Sequence, residues 1–406
     1  MGNTKKQRIL IIIMLGLLSA IGPFSIDMYL PAFHDVARDL KTEISHIQLS
    51  LTSFFIGIAV GQIIYGPLLD RFGRKTPLII GLFIYLAASL GCALTDSADH
   101  LIAYRFIQAL GSCGGMVASR AMVRDFFPPQ ETAKVFSLLM LVIGVSPILA
   151  PTTGGFMLSY FGWHAIFLCL AGIGALILIG VIFLLPKGKS PDPTFSLKPV
   201  PIVKTFLKVA GNRSFIIYSF AGGMASSGLY AYLSGSSYIM MELFELNEQE
   251  YGWVFGIIAF ALISASQLNN LILKKRRSER IAQIALFFQS IFGIALVLTT
   301  MTGHLNLYNC VILIFGFLGC QGFVFPNTSA LALNPFSKLA GSASALLGSI
   351  QLGIGAIASA LVSFLHNETA MPMMGVMAGC ALLSYLILLL APKGEKNKAS
   401  EYEYEL

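Results

Sequence analysis

Two ionisable residues, Asp27 and Arg105, stand inside long apolar stretches. Such groups persist in hydrocarbon where they move protons, pair with each other or face trapped water. Asp27 is the only acid well inside an expected helix, since the other nineteen Asp and Glu fall in loops, tails or helix ends. A carboxyl group so placed is suited to carry a proton. At about 1.5 Å per residue, Asp27 lies about 27 Å from the inner boundary and Arg105 about 8 Å from the outer one, within a core roughly 30 Å thick. Both therefore belong to the outer half, and they are expected to pair or to share a water-filled cavity.

From Arg105 onward, Gln108, Ser112, Met116 and Ser119 recur at spacings of three or four, which puts a polar stripe on one helix face, as a cavity wall requires. Tyr230, Tyr232, Gln321 and Gln351 are the neutral candidates for the same wall in the second half, whose expected helices contain no Asp, Glu, Lys or Arg. Such walls suit apolar or weakly polar small molecules. A dianionic substrate would ask for cations from both halves. Enzyme chemistry lacks its parts: His34, His46, His100, His164, His304 and His366 lie near helix ends or loops, with no nucleophile and base set. Cys92, Cys113, Cys169, Cys310, Cys320 and Cys380 fall in apolar blocks without metal-ligand spacing, so no disulfide, metal or cofactor is expected.

The elements that must hold these residues follow from composition. Of 406 residues, 56% are hydrophobic and 12% charged, against about 25% charged in soluble domains. Apolar blocks place twelve spanning helices near 9–30, 47–69, 77–94, 100–122, 133–158, 164–185, 214–240, 251–273, 281–302, 306–331, 340–365 and 370–390. The first, too long for a signal peptide and followed by no cleavage site, is expected to be retained. The chain thus reads as an all-α, multi-pass membrane protein. Basic residues set its orientation: twenty-four of the twenty-seven Lys and Arg fall on the side that holds both termini, which makes that side cytoplasmic. The net charge of +7 is largely this signal, and the run Lys274, Lys275, Arg276, Arg277 suits anionic lipid and not nucleic acid. A Pro- and Lys-rich connection divides the chain into a bundle at 1–185, a linker at 186–213, a second bundle at 214–390 and a tail at 391–406. "ALGSCGGMVASRAM" and "FLGCQGFVFPNTSALAL" align at an offset of 208 residues, which makes the halves a parallel repeat.

The loop "GPLLDRFGRKTPLIIG" holds Gly66, Asp70, Arg71, Gly73, Arg74 and Lys75 in a tight basic turn. It closely resembles the signature loop of the major facilitator superfamily, whose layout fits nearly the whole chain. The resemblance implies two pseudo-symmetric six-helix bundles, with Asp70 docked on a neighbouring helix N-terminus and Arg74 on an acid such as Asp125. These contacts would latch the cytoplasmic side while the outside is open. The second half's "LKKRRSER" lacks the glycine and the aspartate, so one latch is expected. "GVSPILAPTTGG", with Gly144, Pro147, Pro151, Gly154 and Gly155, resembles the glycine-proline motif of the superfamily's antiporters, where such residues let a helix bend and approach a partner closely. "SIDMYLP", "YRFIQALGSCGG", "FVFPNTSALALNPF" and "AGSASALLGSIQLGIGA" resemble proton-coupled drug antiporters of the bicyclomycin-resistance type. That resemblance implies a monomeric multidrug exporter of a bacterial inner membrane in which Asp27 exchanges protons and Arg105 tunes it. A proton-coupled importer or a metabolite exporter is the alternative on the same scaffold.

Overall fold

The computed structural model describes residues 5–188, 191–192, 199–336 and 339–391. Most of the expected tail, and parts of the expected linker, lie outside the described residues. Fourteen α-helices run among them: α1 Lys5–Asp27, α2 Phe33–Asp39, α3 Ile44–Arg71, α4 Lys75–Ala93, α5 Ala98–Phe126, α6 Pro129–Phe161, α7 Trp163–Phe183, α8 Pro199–Ala210, α9 Arg213–Ser237, α10 Glu248–Ile272, α11 Ser278–Met301, α12 Leu307–Leu333, α13 Ala340–Phe364 and α14 Met371–Leu389. No strand occurs among the described residues. Apart from the short α2 and α8, the helices match the twelve apolar blocks. The first block ends early, because the helix stops at Asp27 and a 3-10 turn follows at Leu30–Ala32.

Eleven stretches are long and apolar enough to span a bilayer. The twelfth expected span, α9, is rich in glycine and serine and falls below that measure. It is also among the most enclosed helices, buried at most of its positions, so it shows little side chain to lipid and needs less apolarity. Outward-facing side chains elsewhere are strongly apolar, including Leu176, Phe183 and Trp253, each more than two-thirds exposed. In a bilayer that surface meets acyl chains, which is why exposure there carries no hydrophobic penalty.

Packing repeats between the halves. In the first, α1 packs on α5, α6 and α7, α3 on α5, and α4 on α5 and α7. In the second, α9 packs on α12, α13 and α14, α10 on α12, and α11 on α12 and α14. Each contact recurs between helices at the same ordinal place. The two main contacts between halves, α3 with α13 and α6 with α10, exchange under the same relation. That is the pattern of a two-fold axis along the membrane normal.

Candidate functional site

Arg105 is fully buried within the first half. Its Nη1 donates to Gln108 Oε1 at 2.6 Å, and Gln108 Nε2 donates to Ser89 Oγ at 2.8 Å. The guanidinium lies 4.2 Å from the centre of the Phe54 ring, 5.0 Å from Tyr29 and 5.8 Å from Phe167. Its Nε and Nη2 have no hydrogen-bond partner among the described residues. The cation is thus held by ring faces rather than by an acid. Among the described residues no hydrogen bond or ion pair joins it to Asp27, contrary to the pairing expected from their common depth. Depth fixes level along a helix but not direction around it. Asp27 ends α1, and the chain turns so that Tyr29, anchored by Ser50 Oγ at 3.2 Å, takes the place beside the guanidinium. Asp27 is 5% exposed, and the turn that follows it, Leu30–Ala32, rests on α9 and α10 of the second half.

Of the seven side chains expected to line a cavity, five are packed away: Gln108, Ser112, Tyr232, Gln321 and Gln351 are each at most 6% exposed. The polar stripe of α5 bonds its neighbours instead, Gln108 to Ser89 of α4 and Ser119 to Ser19 of α1 at 2.8 Å. Gln321 Nε2 donates to Ser226 Oγ at 2.7 Å and Gln289 Nε2 to Gln321 Oε1 at 3.2 Å, which ties α12 to α9 and α11. Gln351 lies against the α9 glycines Gly222 and Gly223, and Tyr232 stacks on Phe255 at 5.6 Å. Helical periodicity cannot tell a wet face from one that bonds another helix, and here the second holds. Met116 and Tyr230 stay half-buried, Tyr230 with its ring 4.7 Å from Phe55 of α3 in the other half. Sequence reasoning missed Arg120, which is enclosed by the bundle yet open to solvent, as a residue facing a water-filled crevice is. The signal was available: Arg120 falls inside the expected span at 100–122, and α5 runs on past it to Phe126.

In the loop between α3 and α4, Gly73 adopts φ +79°, the left-handed region that makes the turn tight. Arg74 Nη1 donates to Asp70 Oδ1 and its Nε to Asp125 Oδ2, each at 2.9 Å. Burial alone would depress the guanidinium's proton affinity, but the two carboxylates outweigh it and hold Arg74 above its ordinary range. Lys75 Nζ donates to the carbonyls of Ile182 and Leu185 at 2.9 Å, closing the C-terminal end of α7. Arg71 also has a partner, whereas a Cβ at Gly66 would meet open space. Among the described residues no hydrogen bond docks Asp70 on a helix N-terminus; Arg74 takes its carboxylate, and Asp192 N–H donates to its backbone carbonyl at 3.3 Å. All these contacts lie within the first half and the start of the linker. Charged groups four residues apart on a turn find each other first.

The glycine-proline motif of α6 sits on the seam between halves. A Cβ at Gly154 would strike the carbonyl of Met28, and one at Gly155 would lie 3.0 Å from the carbonyl oxygen of Glu248 in α10. Gly144 faces Ile263, and Thr152 faces Gly252. Pro147 and Pro151 lie inside the helix, each removing a backbone donor from its ladder.

The sequence profile of the Major Facilitator Superfamily matches residues 15–360. This chain belongs to the major facilitator superfamily. The facilitator is 37% identical over 94% of its length to an uncharacterised MFS-type transporter, YdgK, of Bacillus subtilis, covering 95% of that protein. It is 32% identical to a bicyclomycin resistance protein homologue of Haemophilus influenzae and 28% identical to multidrug resistance protein D of Escherichia coli, each over 95% of this chain and 96% of the relative. Among solved structures, a bacterial homologue of the human lysosomal transporter Spinster, inward-facing and unoccupied, superposes with a TM-score of 0.71, covering 96% of both chains at 14% identity. At that identity the likeness shows the fold.

This facilitator is therefore a multi-pass membrane transporter of small molecules and not an enzyme. At the end where α1 stops, the halves are held together: His34 pairs with Glu242, Thr52 and Ser359 share a hydrogen bond of 2.8 Å, and the turn after α1 rests on α9 and α10. The buried carboxyl of Asp27 lies just beneath that closure.

Proposed function

We propose that this facilitator exports small amphipathic compounds in exchange for protons, exposing one cavity alternately to the two sides of a bacterial cytoplasmic membrane. The observation that carries the proposal is Asp27, a buried acid at the end of α1, where the chain turns onto the second half, with no cation paired with it among the described residues. An acid in that setting changes protonation whenever the seam opens to water. The relatives named for bicyclomycin and multidrug resistance support drug-like cargo. The working units are residues 1–185 and 214–390, joined by 186–213, in a monomer with both termini on the cytoplasmic side that carries the basic loops.

Asp27 is the proton carrier in this reading. Arg105 acts through Tyr29, whose ring it holds beside the end of α1. Gly66, Asp70, Arg71, Gly73, Arg74, Lys75 and Asp125 brace the cytoplasmic end of the first unit. Gly144, Pro147, Pro151, Gly154 and Gly155 form the surface on which α6 meets α10. Met116, Tyr230 and Arg120 face the cavity. Asp27→Asn protein of normal abundance, reconstituted in liposomes, is expected to lose concentrative transport driven by a proton gradient. Wild-type concentration by that variant would eliminate the mechanism.

A further inference from the structure

A cavity of about 680 Å³ lies between the halves at the end where α1 stops. Arg38, Lys41, Glu43 and His46 line it from the first half, and Ser363 and Phe364, at the end of α13, from the second. Arg38 is paired with Asp35, and His46 with Asp99 at 2.9 Å. Lys41 and Glu43 remain: among the described residues neither makes an ion pair, and the Glu43 carboxylate accepts only from Ser45 Oγ, at 3.1 Å. Neither residue suits its place in the backbone. Lys41 follows the C-cap of α2 at φ +50°, the left-handed position that favours glycine, where Thr42 N–H donates to Ala37 O at 2.9 Å. Glu43 is the N-cap of α3, a place for Ser, Thr, Asp or Asn, and its side chain makes no capping bond. Side chains kept against local preference point to function. By the charge pattern of the sequence, Arg38 and Lys41 are also the two of the twenty-seven Lys and Arg that fall in a loop on this side, and both line the cavity.

We infer that this cavity holds the headgroup of a phospholipid ending in a primary amine, with its phosphate on Lys41 and its ammonium on Glu43. Charge complementarity carries the inference. Such a headgroup bears one anion and one ammonium close together, and the cavity offers one cation and one carboxylate that no other described residue neutralises. The phosphate accepts from Lys41 Nζ, and the ammonium donates to the Glu43 carboxylate. A headgroup that is anionic alone would leave Glu43 facing a like charge. A lipid, and not a free zwitterion, fits what lies beneath. Leu49 lines the cavity, and Ile56, Val60 and Ile63 continue its face of α3 at helical spacing. On α13, Phe364 lines the cavity, and Leu361 and Ile357 continue its face in the same way. Ile56, Val60, Ile63, Ile357, Leu361 and Phe364 are all exposed. Two apolar strips thus run from the cavity into the membrane, one on each helix of the α3 and α13 contact, where acyl chains cover them. The headgroup touches both halves, so the bound lipid favours the arrangement in which they meet at this end. Neither Asp27 nor the nature of the cargo enters this inference.

The test is native mass spectrometry of the full chain in detergent, titrated with phosphatidylethanolamine, phosphatidylglycerol or phosphatidylcholine. Phosphatidylethanolamine is expected to bind most tightly, because phosphatidylglycerol has no ammonium and the methylated ammonium of phosphatidylcholine has no N–H to donate. Lys41→Gly and Glu43→Gln are each expected to weaken its binding about fivefold, as the loss of one exposed charge pair does. Lys41→Gly is also expected to unfold at no lower temperature than the wild type, since glycine suits that backbone position, which separates a binding residue from a structural one. Glu43→Gln serves alone should Lys41→Gly not accumulate. Soluble phosphoethanolamine, which has the headgroup without the chains, is expected not to compete. Equal affinity for the three lipids, or a preference that neither variant reduces, would overturn the site. Competition by phosphoethanolamine at concentrations equal to those of the lipid would assign the cavity to a soluble zwitterion and overturn its assignment to a lipid.

Discussion

At the scale of single residues, the decisive contrast is between the two intramembrane charges. Both were legible in the sequence, because a charged side chain in an apolar block is conspicuous, but their relation was not. Arg105 is a cation held by three rings and one amide, with two of its nitrogens unbonded among the described residues. Lysine cannot copy that arrangement, since its compact ammonium lacks a planar face to lie against the rings and its shorter reach abandons Gln108. Arg105→Lys is therefore expected to lose about 1–2 kcal/mol of stability from ring contacts alone, seen as a lower unfolding temperature in detergent. An unchanged unfolding temperature would mean that the ring box does not hold the fold. Asp27→Asn, whose side chain has no cation to lose, is expected to unfold as the wild type does, which separates a structural charge from a functional one.

At the scale of elements, α6 carries two adjacent glycines that do different work. Gly154 lets the end of α1 approach within the first half, while Gly155 lets α10 approach from the second. Gly154→Val is expected to push Met28 aside and reduce abundance, as overpacking costs about 1–3 kcal/mol or more. Gly155→Val leaves each half intact and obstructs only their meeting, so abundance should hold while transport falls and position 34 becomes more open to external thiol reagents when replaced by cysteine. Equal abundance and equal labelling in the two variants would refute this division of labour. The motif announced the element but not the assignment, because sequence shows which residues are small and not which neighbour each admits. The same limit explains α5, whose stripe of Gln108, Ser112 and Ser119 has the period of a cavity wall yet bonds α4 and α1. It explains α9 in reverse, since glycine and serine lowered its hydropathy because it is surrounded by protein. Length and apolarity read the remaining helices to within a few residues, and the breaks came at caps and turns such as the one after Asp27.

At the scale of the whole molecule, the internal repeat has mechanical consequences. Contacts within each half recur under the two-fold relation, whereas contacts between halves are concentrated in α3 with α13 and α6 with α10, with smaller ones of α3 with α9 and of the turn after α1 with α9 and α10. Two well-packed bodies meeting along narrow seams can rock without repacking either interior, the behaviour expected of an alternating-access transporter. The repeat was visible in sequence as one aligned pair of segments, but the seams were not, because they join residues about one hundred to three hundred positions apart, such as Gly155 with Glu248, His34 with Glu242 and Thr52 with Ser359. If rocking is the mechanism, the outer pair must separate in every cycle. Replacing His34 and Glu242 by cysteines, in a chain freed of its six native ones, and joining them with a short bismaleimide should abolish transport in liposomes. Each single cysteine treated in the same way should retain it. Transport at the full rate after complete cross-linking would show that the outer seam never opens, and the cargo would then have to pass by a route within one half.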